Sequence, residues 1–175
     1  MMPELSRPVR IDALGTGAHR VEIEANASEC AALADRFDLL ALQRLSAEAT
    51  VRREGQVIFV EGRVSAAVEQ ACVATGAPVP ATIDEPFSLR FVPAGADAAE
   101  EVELDDIEID TISYEGGSID IGEAVAETLA LSLDPFPRAP DADQTLRAAG
   151  IVSEEEAARA GSPFAALGTL RNKLT

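Results

Sequence analysis

Alternating apolar and polar positions over the first two thirds of the chain predict a series of β-strands. In the clearest case, large apolar residues at every second position from Phe87 to Phe91 are separated by Ser88 and Arg90. Such a period of two gives an extended chain one apolar and one polar face. The dipeptide Glu54-Gly55 predicts a hairpin between two of the strands. The predicted strands cover residues 5–11, 20–24, 39–53, 56–68, 69–74, 82–92 and 107–114.

Two amphipathic helices are predicted among and after these strands. The first covers residues 29–37, and either Asn26 or Ser28 can cap it by accepting hydrogen bonds from its first amides. The second begins after Asp120, which together with Glu123 forms an aspartate variant of the capping box, and ends at the prolines that follow. Its apolar stripe consists of Ile121, Val125, Thr128 or Leu129, and Ser132.

Long strands joined by short turns, with a helix after the last strand, indicate an α+β fold. We expect a mostly antiparallel sheet or a partly closed barrel, with one capped helix after the last strand and a helical C-terminal tail. Apolar residues on both faces of the strand at 56–68 place that strand in the centre. The core domain is predicted over residues 5–138, with an acidic loop at about 93–106, and residues 139–175 form a loosely attached tail. In the tail, near-helical intervals separate Phe164, Leu167, Leu170 and Leu174.

The charge of the chain is strongly and unevenly acidic. It carries 14 basic and 31 acidic residues, a net charge of −17, which divides into −4 over residues 1–92 and −13 over residues 93–175. No Lys, Arg or His stands between Arg90 and Arg138, whereas residues 97–134 hold 13 Asp and Glu. A surface of this one sign repels a phosphate backbone and suits a basic protein segment. A merely solvated surface is the alternative.

The residues that common catalytic sites need are few or isolated. His19 is the only histidine, and no local signature pairs it with a nucleophile. Gly15-Thr-Gly17 lacks the remaining glycines and the lysine of a phosphate-binding loop. Asp105, Asp106 and Asp110 lack the spacing of a calcium loop. We therefore expect no enzyme activity, no cofactor and no bound metal.

The apolar segments and the cysteines indicate a cytoplasmic protein. The first residues lack the apolar core of a signal peptide, and no segment approaches the roughly 18 apolar residues of a membrane span. Cys30 and Cys72 lie far apart in segments predicted to be structured, so reduced thiols are expected. Cys72 is predicted to lie within a strand, where its thiol packs as a small apolar group.

Several short motifs occur together in a fixed order. They are Val68-Glu-Gln-Ala-Cys-Val-Ala-Thr75, Glu85-Pro-Phe87, Ile119-Asp-Ile-Gly-Glu-Ala-Val-Ala-Glu127, the segment 131–137, and Ser162-Pro-Phe-Ala-Ala-Leu167 with Leu170. Their order and spacing resemble the YceD-like family, whose members are also called large ribosomal RNA subunit accumulation proteins. The resemblance covers roughly residues 64–138 and 162–174. The motif residues to which it gives a structural role are Gln70, Cys72, Gly122, Pro135 and Pro137.

The resemblance implies a bacterial or organellar factor needed for normal accumulation of large-subunit ribosomal RNA. Many relatives carry a second cysteine three residues after the first, and some have further cysteines beyond the proline stop, a pattern typical of zinc ligation. Here Thr75 takes the place of that second cysteine, and no cysteine follows Arg138. We therefore do not expect zinc to be bound here in the same way.

Our leading hypothesis is a non-catalytic factor whose acidic face binds a basic ribosomal or assembly protein of the large subunit, with indirect contact to RNA and none to membranes. The residues assigned to that contact are Asp120, Glu123, Glu127, Phe164, Leu167 and Leu170. The alternative is direct RNA binding through arginines on the sheet, namely Arg44, Arg52, Arg53, Arg63 and Arg90. The net charge argues against it, and no strand carries the aromatic and basic pattern of an RNA-recognition sheet. The oligomeric state stays open.

Overall fold

The fold is α+β, and the computed structural model describes residues 3–15, 17–95 and 109–151. The strands are β1 (Pro8–Arg10), β2 (His19–Glu24), β3 (Ala41–Glu54), β4 (Val57–Ala71), β5 (Pro78–Pro93), β6 (Asp110–Tyr114) and β7 (Ser118–Asp120). The helices are α1 (Ala27–Arg36), α2 (Ile121–Ser132) and α3 (Ala142–Ala148).

Five strands form the main sheet in the order β2-β3-β4-β5-β6, so β4 is central, as predicted. The first three pairings are antiparallel and the last, between β5 and β6, is parallel. Within the described residues β2 and β6 remain edges, so the barrel alternative was wrong and the open antiparallel sheet is confirmed. The short strands β1 and β7 pair with each other and bring the N-terminal segment to the start of α2.

One face of the sheet is covered by helices and the other is exposed. Helix α1 packs on β3, and α2 packs on β4 and β5. The apolar positions that alternate along the strands point to these helices, and Val51, Ile58 and Val60 are fully buried. From α2 the buried stripe adds Val125 and Leu129. Burial of such side chains contributes about 1.5–3 kcal/mol each, which fixes the side of the sheet on which the helices lie.

Local signals predicted most element positions and missed several ends. Gly55, with φ of +63°, forms the predicted turn between β3 and β4. The separate strand predicted at 69–74 was wrong, because β4 continues to Ala71 and pairs with β5 from Ile58 to Ala71. Consequently Cys72 lies in the turn after the strand and not within it. The first predicted strand shrinks to Pro8–Arg10, and α3 lies in the predicted helical tail although its bounds were not predicted.

Several predictions fall on residues that the structure does not describe. Residues 96–108 hold most of the predicted acidic loop together with Asp105 and Asp106, and residues 152–175 hold Phe164, Leu167 and Leu170. The division of the chain at residue 138 also stays a prediction. In the described part, Ala139 and Ala142 pack against Cys72, so contact with the core continues beyond that point.

Candidate functional site

The start of α2 is tied to the N-terminal segment by Asp120. Its Oδ1 accepts hydrogen bonds from the amides of Arg7, Gly122 and Glu123 at 2.8, 2.9 and 3.2 Å. Its Oδ2 accepts from the hydroxyl of Ser6 at 2.5 Å. The predicted capping role is confirmed, and the carboxylate already has four donors within the molecule.

Glu123 does not complete the capping box predicted with Asp120. Its carboxylate instead accepts from the guanidinium of Arg36, at the end of α1, at 2.7 and 3.0 Å. Arg36 also donates to Glu4 at 2.9 Å. The hydrogen bond with Glu123, followed by that with Glu4, raises the pKa of Arg36. Arg36 thus joins α1 to the N-terminal segment and to α2. A full capping box occurs instead at α1, between Asn26 and Glu29.

Glu127 borders a groove of about 230 Å³ between α2 and the edge strand β6. Apolar side chains form its floor, namely Phe91, Ile112, Ile119 and Ala124. Its rim carries four carboxylates, those of Glu115, Asp120, Glu123 and Glu127, and none of its described lining residues is basic. We call this feature the acidic groove. Glu115 and Glu127 are exposed. Within the described residues their carboxylates have no hydrogen-bond or ion-pair partner.

The acidic groove therefore unites three of the sequence-predicted contact residues, but only Glu127 has a carboxylate without a partner in the described structure. Glu115 was not among the predicted contact residues, although it stands in the run without basic residues. The wall formed by β6 was not predicted either. The seven carboxylates of residues 96–108 adjoin that wall in the sequence.

The motif residues on β4 and after α2 form a junction between the two segments. Gln70 Nε2 donates to the carbonyl oxygen of Asp134 at 2.9 Å. The amide of Val73 donates to the carbonyl oxygen of Pro137, also at 2.9 Å. Pro137 is buried, whereas Pro135 is exposed. These contacts hold the end of α2 against the turn between β4 and β5.

Cys72 belongs to the same junction. Its side chain is 3% exposed, and Sγ accepts a hydrogen bond from the amide of Ala139 at 3.3 Å. That bond, followed by one from the Thr75 hydroxyl, lowers the pKa of the thiol to about 7. The thiol is buried among apolar side chains, as predicted, and it is in addition a hydrogen-bond acceptor. Cys30 is also a free, buried thiol, and burial raises its pKa.

Large apolar side chains are exposed beside this junction. Val73, Leu131 and Phe136 are 59%, 82% and 75% exposed. Leu131 lies in the last turn of α2, Phe136 follows it, and Val73 is hydrogen-bonded to the residue after Phe136. We call these three residues the apolar patch. It lies at the C-terminal end of α2, while the acidic groove borders the N-terminal half of the same helix.

Two of the five arginines proposed for RNA binding are neutralised by ion pairs. Arg52 pairs with Glu54 and Glu61, and Arg63 pairs with Asp84, all on the exposed face of the sheet. Arg44 and Arg90 lie on that face as well, with Arg90 donating to Thr111 Oγ1 at 3.3 Å.

Arg53 points to the other side, where it donates to the carbonyl oxygen of Ile11 at 2.9 Å and to that of Gly55 at 2.9 Å. It lines a second cavity of about 740 Å³ together with Arg10, which pairs with Asp12. A phosphate would have to displace these partners to bind either guanidinium.

Catalytic or metal-binding clusters do not emerge from the described residues. His19 is exposed at the start of β2, where its Nε2 accepts from the amide of Gly15 at 3.3 Å. In residues 3–15, 17–95 and 109–151, no three His, Cys, Asp or Glu side chains converge as metal ligands. In the same ranges no helix has the length and apolar character needed to cross a bilayer.

Comparison with known proteins identifies one family. Residues 60–171, well over half of the chain, match the family model described as Large ribosomal RNA subunit accumulation protein YceD. No curated protein and no solved structure matches the chain. The matched range includes most of β4, all of β5, the acidic groove and the junction at Cys72.

Proposed function

Since this chain belongs to the YceD family of large ribosomal RNA subunit accumulation proteins, we propose that its acidic groove binds a basic segment of a large-subunit ribosomal or assembly protein. The family description names an accumulation role and no reaction. The proposed activity is therefore non-catalytic, in the cytoplasm, and its effect on ribosomal RNA follows from holding a protein partner.

The observation that carries this proposal is the combination of an apolar floor with an acidic rim. Ile112 and Tyr114, both half-buried on β6, offer contact area to the apolar side of a helix or strand, whereas Phe91 and Ile119 line the groove with little exposed surface. Glu115 and Glu127 lie at the rim without partners in the described structure and can pair with Lys or Arg of the occupant. Ribosomal proteins are basic because they bind RNA, so their segments supply this combination of charges.

Electrostatic attraction acts mainly on encounter and orientation. Residues 93–175 carry a net charge of −13, so a basic segment is attracted to this half of the chain from a distance. At 0.1 M ionic strength the screening length is about 10 Å. The attraction therefore weakens as salt is added, whereas contacts with the apolar floor persist.

The test measures capture of RNA-free large-subunit proteins by the immobilised full chain. The groove variant combines Glu115→Gln and Glu127→Gln, and the matched control combines Glu24→Gln and Glu85→Gln, two exposed glutamates outside the groove. Glu123 is left intact because it holds Arg36. We expect the groove variant to capture severalfold less protein than the parent at low salt, whereas the control should capture as much as the parent. The melting temperatures of both variants should stay near that of the parent.

Two results would contradict the proposal. Equal capture by the groove variant and the control would place the binding surface elsewhere. Binding of protein-free large-subunit RNA that is weakened by Arg44→Gln and Arg90→Gln, and not by the groove variant, would establish the direct RNA-binding alternative.

A further inference from the structure

We propose that the basic partner segment binds as an extended strand, which pairs with the outer edge of β6 and adds one strand to the five-stranded sheet. This inference rests on the proposed function, since it states how the occupant of the acidic groove is held. The segment that fits carries Lys or Arg at every second position and small uncharged residues between them.

β6 has an outer edge that no strand of the described structure pairs with. It stands last in the sheet, and its pairing with β5 is parallel. The amide of Ala94 donates to the carbonyl oxygen of Tyr114 at 2.8 Å, so the backbone groups of Tyr114 point towards β5. Because these groups alternate in direction along a strand, those of Ile112 also point to β5, and those of Thr111 and Ser113 point away from it. In the described structure these two residues therefore offer their amides and carbonyl oxygens to an added strand.

The two edges of the main sheet differ in their protection against such pairing. Exposed charges follow the edge strand β2, where Arg20 forms an ion pair with Glu48 of the neighbouring strand. Charged side chains on an edge strand discourage pairing with another chain. β6 carries only Asp110, at its first position, and has neither a proline nor a lysine. Its outward residues Thr111 and Ser113 are small, so a second backbone can approach this edge.

Side chains of the added strand would alternate between the acidic groove and the exposed face of the sheet. Ile112 and Tyr114 are half-buried on the groove side, whereas the Thr111 hydroxyl accepts from Arg90 on the exposed face. On the groove side, a Lys or Arg can lay its methylene groups along the two half-buried residues and extend its charge to the rim. Basic residues at every second position therefore match both the apolar floor and the acidic rim.

Charge and backbone chemistry favour a basic strand over the other possible occupants. The seven carboxylates of residues 96–108 stand just before β6 in the sequence, and the net charge of the chain is −17. Pairing of two β6 edges from two copies would bring these like charges together, which is unfavourable. A helical segment satisfies its backbone groups internally, so it would leave the edge of β6 unpaired.

The test uses a capped synthetic peptide in which Lys alternates with Thr, and its binding to the full chain is measured by titration calorimetry. A control peptide of the same composition places Lys and Thr in pairs, so that its charges fall on both faces of an extended chain. Two further peptides carry backbone N-methyl groups, one on every Thr and the other on every Lys. Since successive N–H groups of a strand point to opposite sides, each of these peptides lacks the donors of one edge only.

We expect the alternating peptide to bind severalfold more tightly than the paired control. One N-methylated peptide should lose about tenfold or more in affinity, and the other should bind nearly as well as the unmodified peptide. In the complex, hydrogen exchange of Thr111 and Ser113 should slow, whereas that of Ile112, which already faces β5, should change little. Equal affinities of the alternating and paired peptides would overturn the proposal, as would equal losses by both N-methylated peptides.

Ser113→Pro removes one outward amide from the protein itself. Proline is tolerated on an edge strand where its missing N–H has no partner in the sheet, so the melting temperature should stay near that of the parent. The affinity for the alternating peptide should fall severalfold, while the control Ser113→Ala, which keeps the amide, should bind like the parent. Unchanged affinity of a folded Ser113→Pro protein would count against the edge. If this variant is destabilised, the N-methylated peptides and the exchange data decide on the native chain.

Hydrogen exchange of the protein without peptide supplies a further test. Slow exchange of Thr111 and Ser113 at low protein concentration would show that the edge is already paired within the chain, which would overturn the proposal. Protection that grows with protein concentration would assign the edge to a second copy and would overturn it as well.

Failure of this inference and failure of the proposed function are distinguishable. If Glu115→Gln with Glu127→Gln loses capture of large-subunit proteins while both N-methylated peptides bind equally well, the groove binds its partner through side chains alone and only the strand pairing fails. If one N-methylated peptide loses binding but that double variant captures as much as the parent, the strand pairing stands and the proposed function fails.

Discussion

Gly122 shows how a single residue positions the acidic groove. A Cβ at this position would lie 2.7 Å from the carbonyl oxygen of Leu5 and 2.8 Å from the amide nitrogen of Arg7. Both are backbone atoms and can move only if the N-terminal segment leaves α2. Overpacking of this kind costs about 1–3 kcal/mol. We expect Gly122→Ala to lower the free energy of unfolding by that amount in denaturant titrations.

The control for this prediction is Gly117→Ala. A Cβ there meets nothing within 4 Å, and its backbone is not in the left-handed region. The free energy of unfolding should therefore stay nearly unchanged. Equal effects of the two substitutions would show that the contact between Gly122 and the N-terminal segment does not limit stability.

Cys72 provides a dependence on pH at the residue scale. The folded structure lowers the pKa of its thiol from 9.0 to about 7, so between these values the folded protein holds a thiolate and the unfolded chain a thiol. Stability from this group is present above pH 9 and is lost as the pH falls through 7. We expect the free energy of unfolding to rise between pH 7 and pH 9 relative to Cys72→Ala. Parallel pH profiles of the two proteins would contradict the hydrogen-bonded thiolate.

At the scale of elements, α2 depends on its cap more than on its exposed charges. Asp120 accepts from two amides of the first turn and from Arg7, whereas Glu127 has no partner in the described structure. Loss of an N-cap side chain costs about 1 kcal/mol, typically within 0.5–2 kcal/mol. We expect Asp120→Ala to destabilise the protein by about this amount, measured by thermal unfolding, and Glu127→Gln to leave the melting temperature nearly unchanged.

Capture measurements distinguish a capping role of Asp120 from direct contact with a partner. If Asp120 acts only as a cap, Asp120→Ala should still capture large-subunit proteins under conditions in which the variant is fully folded. Asp120→Asn should retain most of the stability and most of the capture. Lost capture by a folded Asp120→Ala protein would show that the carboxylate of Asp120 also reaches the partner, as predicted from the sequence.

At the scale of the whole molecule, the two faces of the sheet differ in charge. On the exposed face, arginines alternate with carboxylates in pairs such as Arg20 with Glu48 and Arg63 with Asp84, so opposite charges largely cancel. On the helical side, the groove at α2 and β6 presents carboxylates without basic lining residues. Within the described residues the two sides of the sheet therefore differ in charge, and the proposed basic partner would be oriented towards α2 before contact.

The sequence predicted the parts of the fold that follow from local periodicity and local caps. Alternation along β3, β4 and β5 identified the strands and their buried faces, and Gly55 identified a turn. The asparagine and aspartate before α1 and α2 located the helix starts. The run without basic residues also located the acidic half of the chain. These features need only neighbours in the chain, so they can be read from a single sequence.

Only the tertiary structure decided which distant residues meet. Arg36 binds Glu123 across 87 positions, and Ala139 donates to Cys72 across 67. These contacts make Glu123 a link between helices instead of the second member of a capping box, and they add an acceptor role to the apolar packing of Cys72. The groove likewise exists because β6 joins β5 in parallel beside α2. Periodicity determines which face of an element is buried, but the choice of the element packed against that face depends on how all faces fit together, which no local pattern contains.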